Sequence, residues 1–144
     1  MTRRNSVAIV EHFWKEVWQK QNPEAVDRLV SEDFILTSGD HDVRSRADFK
    51  TWVKQFLERV HDFRFHIVET FQNEDGSRVA SRWRITGRNN GMMGTKPNGV
   101  PFEMSGTAVW EVGEDGLLRH NWVERNAFEV YGAITRADGE ENVF

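Results

Sequence analysis

The sequence predicts an α+β fold, with helices packed on one face of a curved antiparallel sheet. Two observations carry this. Segments with helical spacing of apolar residues come first, and alternating segments separated by turn residues follow. The aromatic load is heavy, with six tryptophans and ten phenylalanines against one tyrosine, enough to fill a core and also to wall a cavity.

Each element has its own signal. In the first helix, Ile9/Val10, Phe13/Trp14 and Val17/Trp18 form a broad apolar stripe, with Ser6 placed to cap it. Asn22 as cap and Pro23 in the first turn open a short second helix, whose apolar residues Val26, Leu29 and Val30 keep the same period. Residues 33–37 read as a short strand ended by Ser38-Gly39-Asp40. A third helix is expected over about 45–60, burying Phe49, Trp52, Val53, Phe56 and Leu57. Strands follow over 63–71 and 78–87, joined at Asn73-Glu74-Asp75-Gly76. After a glycine-rich loop at 89–101 come strands over 102–112 and 117–128, joined by Gly113-Glu114-Asp115-Gly116. A sheet curled around helices encloses a cone, and a cone leaves a cavity. Residues 1–134 form one domain, and 135–144 read as a polar tail.

Composition narrows the function classes. With 38% hydrophobic and 29% charged residues among 144, the chain is an ordinary globular domain rather than a disordered one. A net charge of −4, spread along the chain, argues against nucleic-acid or membrane partners. The sequence has no cysteine, which removes disulfides, thiolate metal sites and thiol catalysis. With no apolar run of spanning length and no signal-peptide core, the expected location is the cytoplasm. His12, His41, His61 and His66 show no ligand spacing, so no metal is expected, and the loop glycines precede no helix that could cradle a phosphate. No cofactor is implied.

Three segments, "HDFRFHIVE", "RVASRWRITGRNNGMMGTKPNGVPFEMSG" and "EDGLLRHNWVERNAFEVYG", occur in an order and spacing that resemble the SnoaL-like polyketide cyclases of the NTF2-like superfamily. The resemblance runs from the first helix to about Ile134. It implies an NTF2-like cone, a curved sheet wrapped around three N-terminal helices, with an internal pocket and often a homodimer through the outer sheet face. Val123, Val109 and Trp110 are candidates for that outer face. The catalytic members of the family use an aspartate on the final strand and an assisting histidine at an earlier strand end. Here Asn126 and Asn89 stand at those positions, and amides do not titrate.

The stretch HNWVERNAFEVYG places Trp122, Glu124, Asn126 and Phe128 at even positions, on one face if the strand is regular. A face mixing rings with a carboxylate and an amide reads as the lining of a ligand cavity. There Glu124 is the candidate acid/base, its pKa expected to rise on burial, or else it pairs with Arg82 or Arg84. Asn126 is the candidate polar anchor, and Asn89 either binds ligand or forms a turn. His120 shares the even face near the strand's start. Trp14, Trp18, Phe34, Trp52, Phe56 and Trp83 are core residues that also serve as candidate pocket wall, and Met92-Met93 is either a lid or an ordinary loop.

Two function classes remain. One is an enzyme performing cyclisation, isomerisation or related proton transfer on a small carbonyl-bearing or cyclic molecule. The other is a binding module for an apolar or aromatic small molecule, or for a partner protein.

Overall fold

The computed structural model describes residues 4–136. Helix α1 (Ser6–Phe13) continues into a π-helical segment (Trp14–Gln19), followed by a 3-10 turn (Pro23–Ala25) and α2 (Val26–Leu29). Then come β1 (Val30–Ser38), β2 (His41–Arg44), α3 (Arg46–Glu58), β3 (Val60–Gln72), β4 (Arg78–Asn89), a 3-10 turn (Met92–Gly94), β5 (Pro101–Val112), β6 (Leu118–Arg125) and α4 (Ala127–Arg136). The strands form one sheet in the order β2-β1-β6-β5-β4-β3. Neighbours run antiparallel except β1 and β6, which are parallel.

The helices start where short polar side chains take up free amides. Asn5, not Ser6, caps α1 by accepting from Ala8 N, while the Ser6 hydroxyl donates to Gly76 O at 2.6 Å. Asn22 and Pro23 open the second helical segment as expected. Ser45 caps α3 with φ 81°, accepting from Asp48 N at 3.1 Å. In the π segment, bonds from Lys20 N to Lys15 O and from Asn22 N to Val17 O mark the wider turn. Both Trp14 and Trp18 point inward there, and such turns often occur at functional sites.

The core sits between the helices and the inner sheet face. Phe13 meets Trp110 edge-on at 4.9 Å between ring centroids, and Phe34 meets Phe49 at 4.6 Å. Trp110 is fully buried, which removes it from the outer face for which the sequence offers it as a candidate. Along β5 the even residues Phe102, Met104, Ala108, Trp110 and Val112 are all buried, so that strand keeps a regular period.

Two elements carry no mark in the sequence pattern. The strand β2 pairs with β1 at the edge of the sheet. The final strand stops at Arg125, and α4 follows, so Phe128 belongs to a helix and not to a strand. That helix takes Thr135 and Arg136 from the expected tail, and residues 137–144 lie outside the described ones.

Candidate functional site

The face that β6 turns inward is decided by one residue. Glu111 pairs with His120, but Val112 pairs with Leu118, so Arg119 is an extra residue and β6 carries a bulge. Arg119 is held back on the turn by Asp115, its Nη2 lying 2.7 Å from Oδ2. Leu118 points inward ahead of the bulge, and beyond it the inward residues are Asn121, Val123 and Arg125. The even set therefore faces outward, which corrects the regular-strand expectation for Trp122, Glu124 and His120. Trp122 is 37% exposed and stacks on the His120 ring at 3.7 Å, outside the cone.

The remaining candidates fall as follows. Glu124 is exposed opposite Thr107, and its two candidate partners are engaged elsewhere, Arg82 with Glu69 and Arg84 with Glu103. Asn126 ends the strand: its N–H donates to Ser105 O and its Oδ1 accepts from Ser105 N at 3.0 Å. Phe128 is 60% exposed on α4. Asn89 is 1% exposed and organises the 89–101 loop. Its Nδ2 donates to Lys96 O at 2.8 Å and its Oδ1 accepts from Met92 N at 2.8 Å, which is the turn-forming role. Phe34 is core, packed on Phe49. Trp14, Trp18, Trp52, Phe56 and Trp83 do line the interior.

The interior itself is mostly filled by those rings. The void left among them is about 40 Å³, room for roughly three waters. From the helices, Trp14, Trp18, Phe49, Trp52 and Phe56 line it. From the sheet, Leu36, Ser38, Phe65, Trp83 and Ile85 complete the wall together with Asn121, Val123 and Arg125. A larger hollow of about 220 Å³ lies at the mouth, between Trp52, Gln55, Phe56 and Arg59 of the α3 region and Met92-Met93 of the loop. Arg125, Trp52 and Phe56 line both spaces.

Polar groups within this apolar wall are few, and two of them have a buried atom with no hydrogen-bond partner among the described residues. Asn121 is 4% exposed and its Oδ1 is buried with no hydrogen-bond partner. The Trp83 Nε1 donor is likewise buried without an acceptor. Arg125 makes no ion pair among the described residues. Its nearest partners are Met104 Sδ, at 3.8 Å, and the Phe56 ring, 6.0 Å from the guanidinium carbon. Burial depresses its pKa from the ordinary arginine value, although the group stays protonated at working pH. Among the described residues no Asp, Glu or His lines either space.

By sequence this set was missed except for its rings. The sequence pattern does not single out Asn121 or Arg125 and offers Val123 for the outer face, because a bulge has no reliable sequence mark. Among the described residues no cluster of His, Asp or Glu could hold a metal ion, and no helix is long and apolar enough to cross a membrane.

An α+β cone of this order defines the class of NTF2-like proteins, and solved structures of that class superpose on it. A protein from Jannaschia sp. CCS1 assigned as a SnoaL-like polyketide cyclase matches with a TM-score of 0.83 at 15% identity, covering 94% of this chain and 97% of that one. A protein from Acidithiobacillus ferrooxidans assigned as a polyketide cyclase matches with a TM-score of 0.76 at 23% identity, covering 95% and 99%. TsrD from Streptomyces laurentii matches with a TM-score of 0.78 at 19% identity, covering 93% and 98%. At these identities the likeness is one of fold. No curated protein matches the sequence. The SnoaL-like domain model matches residues 10–121, and the chain belongs to that family.

Proposed function

We propose that this protein binds a small, largely apolar, ring-bearing molecule between the mouth and the interior of the cone, as a binding module rather than a proton-transfer enzyme. One observation carries the reading. The buried Asn121 Oδ1 and Trp83 Nε1 have no partners among the described residues, inside a wall of aromatic rings. Buried polar groups are nearly always hydrogen-bonded, and a few convergent polar atoms in an apolar hollow are the usual make-up of a ligand site. The polyketide-cyclase assignment of several structural neighbours fits a ring-bearing ligand. Cyclisation or isomerisation needs a group that takes up and returns a proton. Glu124 lies on the outer face, and among the described residues neither hollow is lined by a carboxylate or imidazole.

The test is native mass spectrometry of protein purified without ligand removal, together with tryptophan fluorescence titrated with flat aromatic compounds. A retained adduct, or quenching that saturates, is expected, since four tryptophans line the interior. Absence of any adduct, with no aromatic compound changing fluorescence or Tm, would defeat the reading.

The inferred partner for the outer face is a second copy of this chain. Phe71, Ala80, Val109 and Trp122 lie in one row across β3, β4, β5 and β6, and Phe71 is 55% exposed. Such an apolar row on an antiparallel face suits isologous packing. Sedimentation should give a dimer that Phe71→Lys dissociates, and a monomeric wild type would exclude it.

A further inference from the structure

We infer that the ligand is a flat aromatic carboxylate, with its anion paired to Arg125 and its ring in the mouth hollow. This deepens the proposed function and rests on it.

Charge is the first support. The whole chain is acidic, with a net charge of −4, yet among the described residues the lining of the two hollows contains two arginines, Arg59 and Arg125, and no acidic residue. Several basic residues on the helices are paired, as Lys50 is with Glu24 and Asp27 at 3.0 and 2.7 Å. Among the described residues neither Arg59 nor Arg125 makes an ion pair, and a mouth with such cations favours an anion.

Geometry is the second. Arg125 lines the inner void and the mouth hollow alike, so a group bonded to it can have its body on the mouth side. A void of 40 Å³ admits polar atoms but no ring, while 220 Å³ at the mouth is ring-sized. There Trp52 and Phe56 stack at 5.7 Å and 29°, presenting flat surfaces, and Met92-Met93 faces them with adaptable thioethers.

Chemistry is the third. A guanidinium presents its donors in a fork that matches a carboxylate, and such bonds are the strong ones. Arg125 spends that capacity within the chain on a thioether sulfur and a ring, both weak partners. Trp83 Nε1 adds a second unused donor lining the same void, and a carboxylate has acceptor sites for more than one.

The experiment compares 2-naphthoate with 2-naphthamide, its neutral analogue of nearly the same shape, by calorimetric titration of the full chain and of Arg125→Met. The wild type should bind the carboxylate at least tenfold more tightly than the amide, and the variant should lose that preference while still binding the amide. Equal affinities for the two compounds in the wild type, a comparison that needs no variant, would overturn the anion inference and leave aromatic binding standing. Unchanged naphthoate affinity in Arg125→Met would overturn it as well. If neither compound binds and no adduct is retained, both the inference and the reading beneath it fall.

Discussion

Replacing Arg125 by methionine should make the ligand-free protein more stable. The substitution keeps an unbranched stem of similar length and removes the charge. In the native state the guanidinium is largely withdrawn from water and makes no ion pair among the described residues. An ion buried without a partner costs several kcal/mol, and its access to the mouth reduces that to about 1–2 kcal/mol. Against this stands the loss of the contact with the Phe56 ring at 6.0 Å, worth about 0.5–1 kcal/mol. The net gain is about 1 kcal/mol, or roughly 3 °C in Tm for a domain of this size. Scanning calorimetry and urea unfolding at neutral pH measure it, and naphthoate should then raise the Tm of the wild type but not of the variant. A variant less stable than wild type by 1 kcal/mol or more would refute the reasoning, because the guanidinium would then be a structural cap on the core.

Three further outcomes are expected. Ser81→Ala should cost roughly 1–3 kcal/mol in urea unfolding, because Ser81 Oγ accepts from the buried Trp14 Nε1 at 2.8 Å and that donor would be left unpaired; an unchanged midpoint would show that another acceptor replaces it. Gly106→Ala should lower stability by roughly 1–3 kcal/mol, since the new methyl would run into the Trp83 indole and come within 2.9 Å of Glu124 O. Because Trp83 lines the void, the same variant should weaken aromatic binding, and wild-type stability with full binding would count against the packing argument. Burial depresses the His120 pKa below its ordinary value of 6.5, so below that pH the unfolded chain holds more protons than the folded one. Its contribution is therefore complete above about pH 6.5 and is lost as pH falls through the depressed native value. His120→Gln should flatten stability against pH in that window, and an unaltered slope would assign the dependence to other groups.

Periodicity and punctuation made most of the fold legible. Phe13, Trp14, Val17 and Trp18 recur at helical spacing and are all buried, and Asn22-Pro23 marks a start that side chain and ring geometry both enforce. The even residues of β5 alternate with exposed ones, as a half-buried strand requires. What stayed hidden depended on contacts distant in sequence. The edge strand His41–Arg44 has two exposed residues at its start and no apolar alternation, and it exists because β1 offers it a partner. Helix α4 begins after Asn126, whose pairing with Ser105 ends the strand. Nothing in the alternation of Trp122, Glu124, Asn126 and Phe128 signals the change from one period to the other.

The candidate site turned on a single parity. Along β6 the sequence offers two interleaved sets, one of His120, Trp122 and Glu124 and one of Asn121, Val123 and Arg125, and each contains apolar and polar members. Hydrophobicity alone favours the set with tryptophan. The extra residue Arg119 reverses that choice by shifting the register between Glu111 and Val112. The reversal is tolerated because the inner face was already full of rings, so Trp122 is not missed there and finds a partner in the His120 ring. Placing an amide and a guanidinium in the remaining gap makes little sense as packing, since neither finds a strong partner among the described residues. Groups left so costly in the free protein are what a site for a polar-ended ligand requires, and the unused donors of Trp83 and Arg125, more than the aromatic wall, support the proposed anionic end.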